Sequence, residues 1–122
     1  VSRPLLVVDD DADLREALEE VLRDAGYTVL GASNGKQALE VLGAATELPG
    51  LVLLDMMMPV MDGGGFARAM RQVSAWRDIP VLVFSASANA RQVADEIGAC
   101  GHLRKPVDVD TLLDAVSRHL TA

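Results

Sequence analysis

Asp9, Asp10 and Asp11 stand in a row after the apolar run Leu5–Val8, and Asp55 directly follows a second such run, Leu51–Leu54. Ser85 follows a third, Val81–Phe84, while Lys105 and Pro106 follow the weaker run Gly101–Arg104. Acids, a hydroxyl and an ammonium at the ends of successive apolar runs are the parts of a phosphoryl-transfer site. Carboxylates packed together repel one another unless a hard cation sits between them, and carboxylate oxygens suit Mg2+. An aspartate is already ionised at neutral pH, so Asp55 needs no general base to attack a phosphorus and form an acyl phosphate. Charge developing on the phosphoryl oxygens would be met by the cation, the Lys105 ammonium and the Ser85 hydroxyl.

Each of these residues alone has a plain structural explanation. Asp10 and Asp11 suit the capping of a helix, Asp55 suits the opening of a turn toward Pro59, Ser85 is a common small loop residue, and a single Lys105 is ordinarily a solvated charge. The coincidence of all of them at strand ends is what calls for a joint explanation.

The elements that must bring them together are legible in the spacing. Leu5–Val8, Leu51–Leu54 and Val81–Phe84 are short and continuously apolar, the pattern of strands buried on both faces. Tyr27–Ala32 and Gly101–Arg104 mix apolar with polar residues, as edge strands do. Between them the period turns helical. Leu14, Ala17, Leu18, Val21, Leu22 and Ala25 share one face, with Arg15, Glu16, Glu19, Glu20 and Arg23 on the other, and Gly26 ends the helix. Further amphipathic stretches run over Lys36–Leu42, Phe66–Val73, Ala90–Ile97 and Val109–Leu120, with Asn34, Asn89 and Asp108 as caps near their starts. Strand and helix alternate over the whole of residues 1–122, as a single domain. Right-handed crossovers then give an α/β fold, a parallel sheet with helices on both faces, in which ligands gather at the carboxyl ends of the strands.

Half of the 122 residues are hydrophobic but only 3% are aromatic, so the core is aliphatic. The formal net charge of −7 opposes direct binding to nucleic acid. No apolar run approaches the about 20 residues of a membrane helix, so no membrane insertion is expected. The lone Cys100 excludes an internal disulfide, fits a cytoplasmic location, and is expected as a small buried apolar side chain. His119, late in the last helix, is expected at the surface.

Taken together, VVDDD at the end of the first strand, LVLLDMMMPVMDG over residues 51–63, FSA over Phe84–Ala86 and the pair Lys105-Pro106 resemble, in order and spacing, the receiver domain of bacterial response regulators, including its chemotaxis members. The resemblance covers the whole chain. It implies a flavodoxin-like, doubly wound, five-stranded parallel sheet in the order 2-1-3-4-5 with five helices. By the same resemblance Asp9 and Asp10 are metal ligands with Asp55 and the backbone carbonyl of Met57, Asp55 is the phosphoacceptor, Ser85 the switch hydroxyl and Lys105 the conserved-type lysine. It further implies Mg2+ as cofactor and a cis bond before Pro106. The implied donor is a histidine kinase or a histidine phosphotransfer protein docking near the first helix, where Leu14 offers apolar contact. The readout would be a changed surface around the fourth helix, fifth strand and fifth helix, sensed by a downstream protein or fused output domain, with phosphorylation-dependent dimerisation also compatible with the family.

His102 departs from the family pattern, standing where a Tyr or Phe often couples to the switch hydroxyl, and Val107 stands where Phe is frequent. Met57 and Ser87 fall at the positions that tune dephosphorylation, and Met58 reads as core filling. Two other classes compete. A phosphatase of the haloacid dehalogenase type also uses a strand-end aspartate with Mg2+, but carries a second acid two residues on, where this chain has Met57. A binding module could keep the fold without being phosphorylated.

Overall fold

The structure is a computed structural model and describes residues 3–56, 61–86 and 89–120. Met57, Met58 and Ser87 lie outside the described residues. The chain alternates β1 (Leu5–Val8), α1 (Ala12–Asp24), β2 (Val29–Ala32), α2 (Gly35–Ala44), β3 (Leu51–Leu54), α3 (Gly63–Arg71), β4 (Val81–Ser85), α4 (Ala90–Ile97), β5 (Gly101–Arg104) and α5 (Val109–His119). The five strands form one parallel sheet in the order β2-β1-β3-β4-β5.

Every residue of β1 and β3 is buried, because each strand lies between helical layers. Successive side chains point to opposite faces. Leu5, Val7, Leu51, Leu53, Leu82 and Phe84 pack with Leu18, Leu22, Leu112 and Val116 of α1 and α5. Leu6, Val8, Val52, Leu54 and Val81 pack with Leu42, Phe66 and Met70 of α2 and α3. Val83 packs with Ala90 and Ala94 of α4. The continuous apolar runs are therefore the signature of a sheet covered on both sides, whereas β5, at the edge, alternates between half-buried and exposed residues.

Local chemistry sets the helix ends. Asp11, Asn34, Asp62 and Asp108 each accept a bond from the amide three residues on, capping α1, α2, α3 and α5. Asn89 stands at the start of α4, but its φ of −92° and ψ of 11° are not the extended geometry of a capping residue. Gly26, at φ 99°, closes α1 in the left-handed conformation, with Gly26 N–H donating to Arg23 O and Tyr27 N–H to Leu22 O.

The differences from the sequence expectations have physical reasons. Helix α3 starts at Gly63, three residues before its first large apolar side chain, because Asp62 caps a turn of glycines that carry no hydropathy signal. The strand β4 runs on to Ser85, which pairs with Arg104. Cys100 is exposed rather than buried, since it lies in the turn between α4 and β5, outside the packed layers. His119 is half-buried rather than free at the surface: its ring lies over Gly101, whose missing Cβ leaves it room. Glu19, expected on the solvent face of α1, is only 8% exposed.

Candidate functional site

The sheet itself holds all four polar strand-end residues, Ser85 as the last residue of β4 and the other three one step beyond their strands. Beyond the last strand pairs, Asp9 N–H donates to Ala32 O at 3.1 Å, Asp55 N–H to Val8 O at 2.9 Å, and Lys105 N–H to Ser85 O at 2.9 Å. The backbone ladder thus runs one step past the apolar runs and fixes the residues that follow them on one rim. Residue 106 follows through a cis Lys105-Pro106 bond, as the resemblance implies.

On that rim Asp9 and Asp55 are 1% and 5% exposed, Asp10 is exposed, and one carboxylate oxygen of each lies within 4.8 Å of the other two. Lys105 Nζ donates to Asp9 Oδ2 at 2.8 Å and stands 3.7 Å from Asp55 Oδ1. Its ammonium also lies 5.1 Å from the centre of the Phe84 ring, whose negative face favours a cation. Asp9 Oδ1 accepts from Asp11 N–H at 2.9 Å, so hydrogen bonds reach both oxygens of this buried carboxylate. Ser85 is buried at the end of β4, beside Lys105 through its carbonyl.

The donor set fits a hard divalent cation. Three carboxylates bring more negative charge than one lysine balances, and oxygens at opposite corners of a Mg2+ octahedron are about 4.2 Å apart. The three carboxylate oxygens lie within 4.8 Å of one another, a separation on the scale such an ion spans. Met57, the fourth residue read as a ligand, lies outside the described residues.

The structure brings Asp9, Asp10, Asp55 and Lys105 together, with Ser85 next to them. His102 stands apart: it is exposed on the edge strand, in register with Val83 on the side of the sheet covered by α4. Leu14 lines a groove with Leu18, Phe84, Ala86, Lys105, Pro106 and Val107, which meets the acids at Lys105.

The sequence reading missed three contributors. Phe84 was read as strand core, yet its ring also underlies Lys105. Gly63 was not singled out, yet a Cβ there would come within 2.9 Å of Asp55 O, so the start of α3 packs against the acceptor's own backbone. Arg15 was assigned to the solvent face, but donates from Nη1 to the Asp9 carbonyl at 2.7 Å.

With this geometry in place, the comparisons agree on a class. The family model described as the response regulator receiver domain matches residues 5–117. The chain belongs to the response regulator receiver domain family, the phosphoacceptor modules of two-component signalling. It is 36% identical over 122 residues to sporulation initiation phosphotransferase F of Bacillus subtilis, covering 98% of this chain and 95% of that one. It is 40% identical to the response regulator MprA of Mycolicibacterium vanbaalenii over 89% of this chain, but spans only 46% of that longer protein. Among solved structures, the chemotaxis protein CheY4 of Vibrio cholerae superposes with a TM-score of 0.88 at 34% identity, covering 98% of this chain and all of that one. The response regulator TrrA of Thermotoga maritima, solved with Mg2+-BeF, gives 0.84 at 30% identity over 97% of this chain and 99% of that one. No described helix is long and apolar enough to cross a membrane.

Proposed function

We propose that residues 1–122 act as one receiver unit in which Asp55 accepts a phosphoryl group from a phosphohistidine of a histidine kinase or histidine phosphotransfer protein. One Asp55 oxygen forms the new O–P bond as the P–N bond of the donor breaks, and the departing imidazole takes up a proton. Asp9, Asp10, Asp55 and the Met57 carbonyl would hold Mg2+, which supplies neutralisation of the phosphoryl oxygens when bound. Lys105 takes up charge on the same oxygens, and Ser85 gives a hydroxyl hydrogen bond to them.

The observation that carries this reading is the burial of Asp9 and Asp55 around one lysine at the rim of the sheet, with Nζ 2.8 Å from Asp9 and 3.7 Å from Asp55. Such a cluster would hold Mg2+ beside a carboxylate nucleophile. TrrA, solved with Mg2+-BeF, supports a Mg2+ site in this family.

Phosphorylation adds charge beside Ser85 and Lys105, and the surface of α4, β5 and α5 carries the response to a downstream partner or output domain. His102, on β5, takes the switch position that a larger aromatic often fills. Leu14 and its groove supply apolar contact to the donor. The reaction takes place in the cytoplasm, and the domain catalyses its own phosphotransfer from the donor and a slow dephosphorylation, not the multiple turnover of a phosphatase.

The test is to incubate the protein with acetyl phosphate and Mg2+, reduce with borohydride, and map the product by peptide mass spectrometry. An acyl phosphate at Asp55 is reduced to homoserine at that position alone. Reduction at another residue, or at none, contradicts the assignment.

A further inference from the structure

Glu19 is a buried acid that the phosphoryl-transfer chemistry does not use, only 8% exposed. Its carboxylate fills the space above Gly31 in β2, where an added Cβ would stand 2.8 Å from Oε1. Two arginines flank it along α1. Arg15 Nε lies 3.8 Å from Oε1 and Arg23 Nη2 lies 3.8 Å from Oε2. Each arginine then reaches the sheet: Arg15 Nη1 donates to Asp9 O at 2.7 Å, and Arg23 Nη2 to Val29 O at 3.1 Å. Charged groups thus stitch α1 to the end of β1 and the start of β2.

The Arg15 end of this ladder falls on the acid cluster. Asp9 is the first residue past β1, and its carbonyl belongs to the peptide that joins Asp9 to Asp10. Asp9 N–H is held by Ala32 O and Asp9 Oδ1 by Asp11 N–H, and the Arg15 bond adds a direct hold on the carbonyl of the peptide leading into Asp10. The Arg15 guanidinium donates to the Asp9 carbonyl from a planar group of fixed direction while its Nε stays in ion-pair range of Glu19, whereas an ammonium would act as a point charge on a flexible stem. Glu19 also offsets the Arg15 charge, which alone would oppose a cation in the nearby cluster.

We propose that Arg15 and Glu19 are positioning residues for the metal-binding acids: Glu19, seated over Gly31, steers Arg15 onto the Asp9 carbonyl, and that bond sets how Asp9 and Asp10 are presented to Mg2+. The inference rests on the Mg2+ site of the proposed function and adds an outer layer to it. Partners that orient ligand-bearing groups typically alter metal affinity about 10–100-fold when removed. Arg15 acts through backbone, so the lower end of that range applies.

The deciding measurement is the Mg2+ dissociation constant of the full chain by titration calorimetry, at a temperature where circular dichroism shows every variant folded. Arg15→Lys keeps the charge and loses the fork, and is expected to bind Mg2+ roughly tenfold more weakly. Arg23→Lys alters the far end of the ladder and is expected to bind as the wild type does. Gly31→Ala pushes the Glu19 carboxylate aside without touching either arginine and decides the matter in the same way should Arg15→Lys not fold. Mg2+ affinity in Arg15→Lys equal to or tighter than the wild type, or a loss in Arg23→Lys as large as in Arg15→Lys, overturns the inference. A wild type that binds no Mg2+ overturns the metal site and this inference together, whereas a wild type that binds and an Arg15→Lys that binds equally well overturns the inference alone.

Discussion

Lys105 and Asp9 are joined by a 2.8 Å ion pair that ties the end of the last strand to the end of the first, across 96 positions of sequence. The lysine side chain is 18% exposed and the aspartate side chain 2%, so the pair lies mostly out of water. Its attraction is set against desolvation, and removing the lysine leaves the buried Asp9 carboxylate without this counter-charge, though Asp11 N–H still bonds its Oδ1. Lys105→Met, which keeps the length of the stem, is therefore expected to lower metal-free stability by about 2–4 kcal/mol. Urea unfolding in the presence of a chelator reads this. Added Mg2+ should narrow the gap to the wild type, because a cation in the acid cluster takes over the role of the ammonium.

Metal binding should itself stabilise the fold. A ligand that binds only the folded state at one hundred times its dissociation constant contributes about 2.7 kcal/mol. Thermal unfolding with increasing Mg2+ should show a rising midpoint for the wild type and a flat one for Asp10→Asn. In chelator, Asp10→Asn should be at least as stable as the wild type, since it removes one of three neighbouring like charges.

Asn34 holds the start of α2 through its side-chain oxygen, which accepts from Gln37 N–H at 2.8 Å. Asn34→Ala is expected to cost about 1 kcal/mol in urea unfolding. Phosphorylation by acetyl phosphate should be unchanged, because this cap touches none of the acids.

Cys100 is exposed as a residue, yet partial burial of its thiol raises its pKa above the ordinary thiol value. The folded state therefore keeps the proton that the unfolded chain loses first. Thiolate is the reactive form, so alkylation by iodoacetamide should be slower in the native protein than in urea between the ordinary and the raised value. The two rates should converge as pH rises past the raised one. The same sign makes this group's contribution to stability fall as pH rises through that window.

The strands and the acids were readable because each depends on residues close in sequence. Leu5–Val8 and Leu51–Leu54 are apolar throughout because helices cover both faces, and the polar residue after each run is forced to the rim. The partners of those polar residues were harder to see. Arg15 and Glu19 look solvent-facing on a helical wheel, but the bare backbone of Gly31 on the next strand makes room for the Glu19 carboxylate, and Arg15 reaches back to the Asp9 carbonyl. The early start of α3 was hidden because Gly63, Gly64 and Gly65 have no apolar side chain to enter a period. Cys100 was misjudged because residue type alone favours burial, whereas its place in the α4–β5 turn decides otherwise.

The most direct test of the central claim is the intact mass of the protein after incubation with acetyl phosphate, with and without Mg2+, for the wild type and Asp55→Asn. The predicted result is a single phosphoryl adduct on the wild type that requires Mg2+ and is absent from Asp55→Asn. An adduct that persists in Asp55→Asn, or a wild type that stays unlabelled both here and with a phosphohistidine donor protein, contradicts the account.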